Sequence, residues 1–334
     1  MKVLLFRDSD SKIEKSGVGH AINHQEVALK KAGVEFTNDL DDSYDLVHIN
    51  TVFPKSYKLA KSSLKKKIPV VYHAHSTEED FKNSFLFSNQ LAPLFKKWII
   101  KCYTTSNLIL TPSEYSKDIL KSYGIEKRID VVSNGIDLDF WHKNLNDRSD
   151  FEKKYGSKDK KIIISVGLYI KRKGILEFVE LAKRLPQYEF YWFGYTDLNL
   201  VSSEIKEAVN SNLENLHFPG YVLSDELRMV YGACDLYIFP TYEETEGIVL
   251  LEALASRAKT LIRDIPIYES SFVDGENIYK AKTVDEFENK TVEILEGKLK
   301  DLTDEGYKVA EKKSIGKVGE ELKRLYGEIL HGGN

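Results

Sequence analysis

Two glutamates eight residues apart, Glu244 and Glu252, bracket the stretch of this 334-residue sequence best suited to chemistry. The run from Phe239 to Leu254 reads as a strand end, a polar turn and an apolar helix that Gly247 opens. The first-turn amides of Gly247, Ile248 and Val249 have no acceptor within such a helix, so they offer a place for a phosphate group. Glu252 sits among Leu250, Leu251 and Ala253, where a charge needs something that rewards it. A ribose diol qualifies, because a carboxylate accepts two hydroxyl hydrogens. An acidic cluster that favours the helix dipole accounts for Glu243, Glu244 and Glu246, but not for Glu252. Glu246 competes with Glu244 for the role of the turn carboxylate.

The elements that must position these groups alternate. Short apolar runs at Val3–Phe6, 45–50, 68–73, Leu108–Thr111 and 129–132 predict five strands in the first half. Helical patterns fall between them, at Ala21–Ala32 after a loop holding Gly17 and Gly19, and at Tyr115–Tyr123 with Ser113 as its N-cap. The pattern restarts at 162–167 and continues with strands at Glu189–Phe193, 216–218, Leu236–Phe239 and 260–262. A polar, lysine-rich stretch at 151–161 reads as the linker, and Glu311–Leu330 as a final amphipathic helix. The expected fold is therefore α/β: two Rossmann-like domains, 1–150 and 151–334, with parallel sheets facing a cleft. The last helix is a candidate to cross back to the first domain.

Composition narrows the classes. Hydrophobic residues make up 42% and charged residues 30%, an ordinary balance for a folded globular chain. No apolar run approaches the ~18–20 residues of a spanning helix. Two cysteines, Cys102 and Cys234, exclude a disulfide framework and a zinc cage, which suits the cytosol. Asp8-Ser9-Asp10 follows the first strand and reads as loop chemistry, not as a metal-ligand pair. The net charge of −4 is unevenly spread: residues 55–101 hold ten lysines against Glu78, Glu79 and Asp80. Large apolar residues, among them Phe85, Phe95 and Trp98, interleave with Lys96, Lys97 and Lys101 at helical spacing. Together with Lys65, Lys66 and Lys67 they suit a helix lying in an anionic membrane interface, or a normal amphipathic helix covering the sheet.

The Glu244–Glu252 segment resembles the Glu-x7-Glu signature of retaining GT-B glycosyltransferases, in particular family 4. Further segments resemble that family in the same order. They are Gly17 and Gly19 after the first strand, Val132-Ser133-Asn134-Gly135-Ile136-Asp137, Ser165-Val166-Gly167 through Lys173-Gly174, and Phe218-Pro219-Gly220-Tyr221-Val222. The resemblance implies a GT-B fold. It implies donor contacts from Gly17, Gly19, Lys173, Tyr221, Gly247, Ile248, Val249 and Glu252, with Glu252 on the nucleotide ribose and Lys173 on the phosphates. It places Glu244 near the transferred sugar. It also marks His75 as the active-site histidine, with His73 the competing choice in a strand position that suits a packed core histidine. Leu168 stands where the family usually has an arginine, and Arg172 is the candidate to replace it. Arg263-Asp264-Ile265-Pro266-Ile267-Tyr268-Glu269 departs from the usual glycine-rich stretch.

Further segments, including Lys15-Ser16-Gly17, Val47–Thr51, His75–Phe81 and Ser88–Pro93, resemble glycolipid synthases that add a second hexose to monoglucosyl-diacylglycerol. The implied partners are UDP-glucose or UDP-galactose, a glycolipid acceptor and anionic lipids, at the cytoplasmic side of the membrane. The implied chemistry has no cofactor and no metal, because the protein supplies the positive charge. Alternatives are a polyprenyl or cell-wall polysaccharide acceptor and a nicotinamide-dependent dehydrogenase, whose three-glycine fingerprint is absent. A nucleic-acid binder is the alternative outside enzymes, but no nucleic-acid motif supports the lysine patch in that role.

Overall fold

The computed structural model describes residues 1–8, 17–157 and 159–332. Ser9, Asp10, Lys15 and Ser16 lie outside them. The chain divides into two compact units: 1–81, 90–136 and 313–334 form the first, and 82–89 with 137–312 the second.

The first unit holds one sheet of six parallel strands in the order β2-β1-β3-β4-β5-β6. These are β1 Lys2–Phe6, β2 Glu35–Thr37, β3 Leu46–Ile49, β4 Val70–His73, β5 Leu108–Thr111 and β6 Ile129–Val131. The second holds six more, also parallel, in the order β12-β11-β10-β7-β8-β9. They are β7 Ile162–Val166, β8 Glu189–Phe193, β9 Leu216–Gly220, β10 Leu236–Phe239, β11 Thr260–Arg263 and β12 Tyr279–Ala281. Central strands such as β3, β5, β7 and β10 are buried along their whole length. That is why they appear in the sequence as unbroken apolar runs. The edge strands β2 (Glu-Phe-Thr) and β12 (Tyr-Lys-Ala) have one neighbour each and lack that signal.

Three sequence expectations need correction. The stretch 151–161 is not a bare linker. Phe151 lies in the helix Asp147–Tyr155, fully buried, with its ring 5.0 Å from that of Tyr191. The division falls after Ile136 instead, and the segment 82–89 joins the second unit although its flanks belong to the first. Gly17 and Gly19 lie not in a loop but in the first turn of the helix Gly17–Lys31. The final helical stretch is two helices, Thr303–Lys312 and Ile315–Leu330, and the chain returns to the first unit between them. There Ile136 N–H donates to the Lys313 carbonyl and Ile315 N–H to that of Ile136, both at 3.0 Å.

The returning helix closes one face of the first sheet, where Val318, Leu322, Leu325 and Tyr326 share a core with Ile22, Ala28 and Leu29. Its approach to Gly17–Lys31 depends on Gly319, where a Cβ would stand 2.2 Å from the Ala28 carbonyl oxygen. Gly327, on the same helix, faces open space. Gly319→Ala is expected to destabilise the protein in urea by about 1–3 kcal/mol through overpacking. Gly327→Ala should leave it unchanged or raise stability by up to about 1 kcal/mol. Equal effects would mean that this contact does not constrain the fold.

Candidate functional site

Strand order in the second unit changes side between β10 and β7, so the loops after these strands flank the point where parallel sheets leave a crevice. Gly174 closes the loop after β7. Its φ is +78°, and a Cβ there would stand 2.3 Å from the Pro240 carbonyl oxygen, so only glycine lets the two loops meet. The preceding turn, Lys171–Lys173, sets the Lys173 ammonium in an ion pair with Glu244 Oε1. Thr241 Oγ donates to the same oxygen at 2.9 Å. Thus Lys173 and Glu244, both expected from the resemblance, meet in one partly buried cluster, and Thr241, which carried no signal in the sequence, completes it.

Arg172 is buried and does structural duty. Its Nη1 donates to the Glu243 carbonyl at 2.8 Å and its Nε to Ser84 Oγ at 3.2 Å. Its carbonyl accepts from Tyr242 N–H at 2.8 Å. It therefore bolts the turn that carries Glu244 to the segment 82–89. Arg263 braces the turn from behind, with Nε donating to the Pro240 carbonyl at 2.8 Å and its guanidinium 3.8 Å from the centre of the Tyr242 ring. Leu168 is 44% exposed and offers no charge. Tyr221 is exposed just beyond β9.

Gly247 caps the helix Ile248–Ala255 at φ +89°, and a Cβ there would come within 3.0 Å of the Tyr268 hydroxyl. Ile248 and Val249 occupy the first turn, where amides have no acceptor within the helix. Behind them Glu252 is 1% exposed. The Tyr231 hydroxyl lies 3.2 Å from its Oε2 and 3.0 Å from the Val249 carbonyl, with one proton for both acceptors. Glu252 Oε1 has no hydrogen-bond partner, and neither do the buried hydroxyls of Tyr237 and Tyr268. Burial without a cation pushes the Glu252 carboxyl from 4.5 up to about 8. A buried acceptor left empty is costly, so this cluster fits a ligand that brings hydroxyls.

His75 belongs to the first unit, beyond β4. Its Nε2 is 2.8 Å from Asn50 Oδ1, and its ring stacks on that of His73 at 4.3 Å. His73 in turn stacks on His48 at 5.5 Å, and His48 Nδ1 meets the Tyr326 hydroxyl of the returning helix at 2.5 Å. Burial lowers the pKa of both His75 and His48 to about 3, so both are neutral at pH 7. Among the described residues, no group of three or more His, Cys, Asp or Glu side chains is placed to hold a metal ion.

The residues expected at a membrane separate into two kinds. Phe95 stacks on Phe81 with ring centres 4.1 Å apart, and Trp98 Nε1 donates to the Val52 carbonyl at 2.6 Å. Lys96 pairs with Glu78 at 3.2 Å and sits 4.0 Å over the Tyr123 ring, while Lys101 sits 4.9 Å over Tyr57. These four are engaged within the first unit, because the helix Ser88–Tyr103 must cover its sheet. Lys65, Lys66, Lys67, Phe85 and Lys97 are exposed. So are other large apolar residues of the same interleaved stretch: Leu86 at 44%, Phe87 at 71%, Leu91 at 45% and Leu94 at 64%. No helix among the described residues is long and apolar enough to cross a membrane.

The native state keeps the Glu252 proton that the unfolded chain releases near 4.5, so this group costs stability as the pH rises towards about 8. Glu252→Gln should remove that cost. The difference in urea midpoint between about pH 5 and about pH 8 should shrink relative to the parent. An unchanged difference would show that Glu252 ionises in the folded protein without penalty.

Residues 147–311 match the family model described as glycosyl transferases group 1, and residues 29–140 match that of glycosyltransferase family 4. A processive diacylglycerol alpha-glucosyltransferase of Acholeplasma laidlawii is 37% identical over 332 residues, 99% of each chain. An alpha-galactosylglucosyldiacylglycerol synthase of Streptococcus pneumoniae is 26% identical, over 78% of this chain and 72% of its own. Among solved structures, Anabaena HepE in complex with UDP-glucose superposes with a TM-score of 0.78 at 15% identity, covering 98% of this chain and 100% of that one. The two parallel sheets are those of the GT-B fold, and the chain belongs to the family 4 glycosyltransferases.

Proposed function

We propose that this enzyme moves a hexose, glucose by preference, from a UDP-sugar to monoglucosyl-diacylglycerol at the cytoplasmic face of a membrane, with retention at the anomeric carbon. The observation that carries the donor half is Glu252: a buried carboxyl group with one oxygen unpartnered, one turn behind a helix N-terminus. A nucleotide diphosphate fits both features, with the ribose diol on Glu252 and the phosphates on the first-turn amides of Ile248 and Val249. Lys173 supplies positive charge as the diphosphate leaves, and Glu244 holds that ammonium in place. Tyr221 belongs near the base. The family resemblance assigns the sugar to Glu244 and gives roles in the reaction to His75, Gly17 and Gly19 of the first unit. No metal enters this chemistry, since Lys173 and the amides carry the charge. The acceptor half rests on the full-length likeness to a diacylglycerol glucosyltransferase. UDP-galactose is the competing donor, favoured by the likeness to a galactosyl-transferring glycolipid synthase.

Radiolabelled UDP-glucose should label monoglucosyl-diacylglycerol in mixed micelles, with EDTA present, faster than UDP-galactose does. Transfer only to a polyprenyl acceptor would replace the lipid reading. Glu252→Ala should weaken UDP binding in calorimetry by about tenfold to a hundredfold, the cost of losing a buried hydrogen-bond partner. Unchanged affinity removes Glu252 from the ribose.

Attachment to the membrane falls to the exposed Phe85, Phe87, Leu91 and Leu94 together with Lys97 and Lys65–Lys67, apolar insertion and lysine attraction acting together. Flotation on anionic vesicles should fall as salt rises, because the screening length shrinks from ~10 Å at 0.1 M to ~3 Å at 1 M. The pair Phe87→Ser and Leu94→Ser should float poorly and bind UDP normally. Flotation equal to that of the parent would place the lipid contact elsewhere.

A further inference from the structure

Beside the histidine stack lies a pair of buried amides whose chemistry is unaccounted for. Gln25 comes from the helix Gly17–Lys31 and Asn50 from the end of β3; they are 1% and 3% exposed. Each amide donates to the other's oxygen, Gln25 Nε2 to Asn50 Oδ1 at 2.9 Å and Asn50 Nδ2 to Gln25 Oε1 at 2.8 Å. Their remaining capacity is aimed at two imidazoles. Gln25 Nε2 reaches His73 Nδ1 at 2.9 Å, and Asn50 Oδ1 reaches His75 Nε2 at 2.8 Å.

An amide presents a donor on one side and an acceptor on the other, and a reciprocal pair can turn over only as a unit. The tautomers of the two histidines are therefore set together. The orientation of the amide pair decides which: the Gln25 amide nitrogen can only donate, so His73 Nδ1 accepts, and the His73 proton lies on Nε2, which has no hydrogen-bond partner. Gln25 then donates to Asn50, whose oxygen can only accept, and His75 must supply the hydrogen from Nε2. The chain of constraint runs from one imidazole through two amides to the other.

We propose that Gln25 and Asn50 are positioning residues that hold His75 as its Nε2–H tautomer, leaving Nδ1 as the ring's acceptor. Of the three stacked histidines, only His75 keeps more than 1% of its surface exposed. It is the end of the relay that a substrate can reach. With its proton fixed on Nε2, His75 accepts a hydrogen bond from a sugar hydroxyl and does not donate one. The catalytic consequence rests on the proposed role of His75, but the placement of its proton does not.

The test uses the full-length protein with histidine ring nitrogens labelled by 15N, the His75 signals being identified by their loss in His75→Gln. The parent should show one protonated Nε2 and one bare Nδ1 at His75. Asn50→Ala should bring both signals towards the average of two exchanging tautomers and lower kcat by about tenfold to a hundredfold, the usual cost of losing an orienting partner. KM for the UDP-sugar should stay within about twofold. Asn50→Asp keeps the shape, so a folding failure of the alanine variant does not end the test. Its carboxylate should draw a second proton onto His75, and both ring nitrogens should then appear protonated near neutral pH. Ring signals unchanged in Asn50→Asp overturn the relay, whatever the kinetics. Moved signals with unchanged kcat support the relay and take His75 out of the reaction.

Discussion

A parallel strand cannot be reached by a hairpin. Each new strand requires a crossover, and because the strands of each sheet all run parallel, their carboxyl ends lie at one edge. Everything chemical in the second unit follows from that constraint. The loop after β7 carries Lys173, the loop after β10 carries Glu244, and the two strands are neighbours although some 70 residues separate them. Their loops touch because Gly174 has no side chain to keep Pro240 away. In the first unit the same rule puts Asn50 after β3 beside His75 after β4.

Around that edge the protein tolerates polar groups that it does not satisfy. Glu252 Oε1 and the hydroxyls of Tyr237 and Tyr268 are buried without partners, in a unit whose other buried polar side chains include well-bonded ones such as Asn215, which reaches three carbonyls. An unsatisfied buried polar group costs more than an ordinary hydrogen bond contributes, so a ligand that partnered these three would recover that cost. The histidine stack makes the opposite use of burial. There the polar atoms of Gln25 and Asn50 are bonded to each other and to the rings, and the low dielectric keeps His48 and His75 neutral.

The helix Ser88–Tyr103 illustrates how one element serves two environments. Its sequence alternates large apolar residues with lysines, and that pattern alone does not say which residues face the sheet. Phe95, Trp98 and Ile99 turn inward, and Lys96 lies across Glu78 and Tyr123 with its stem packed and its charge paired. Leu91 and Leu94 turn outward. The exposed apolar surface is therefore smaller than the sequence suggests, and it lies nearer the start of the helix.

The sequence by itself determined the alternation of strands and helices, because strands buried on both faces must be continuous apolar runs. It also singled out Glu244, Glu252, Lys173 and His75 as candidates, because the motifs that carry them are short and contiguous. The edge strands β2 and β12 were illegible, since a strand with one neighbour needs little apolar surface. So was the true division of the chain after Ile136, because Phe151 reads as part of a polar segment until Tyr191 is seen packed on it. Only the tertiary structure decided that Arg172 is spent on Ser84 and Glu243, and that Gln25 and Asn50 stand between two histidines. These are contacts between residues 25 to 88 positions apart, and a hydrogen bond leaves no trace in the sequence around either partner.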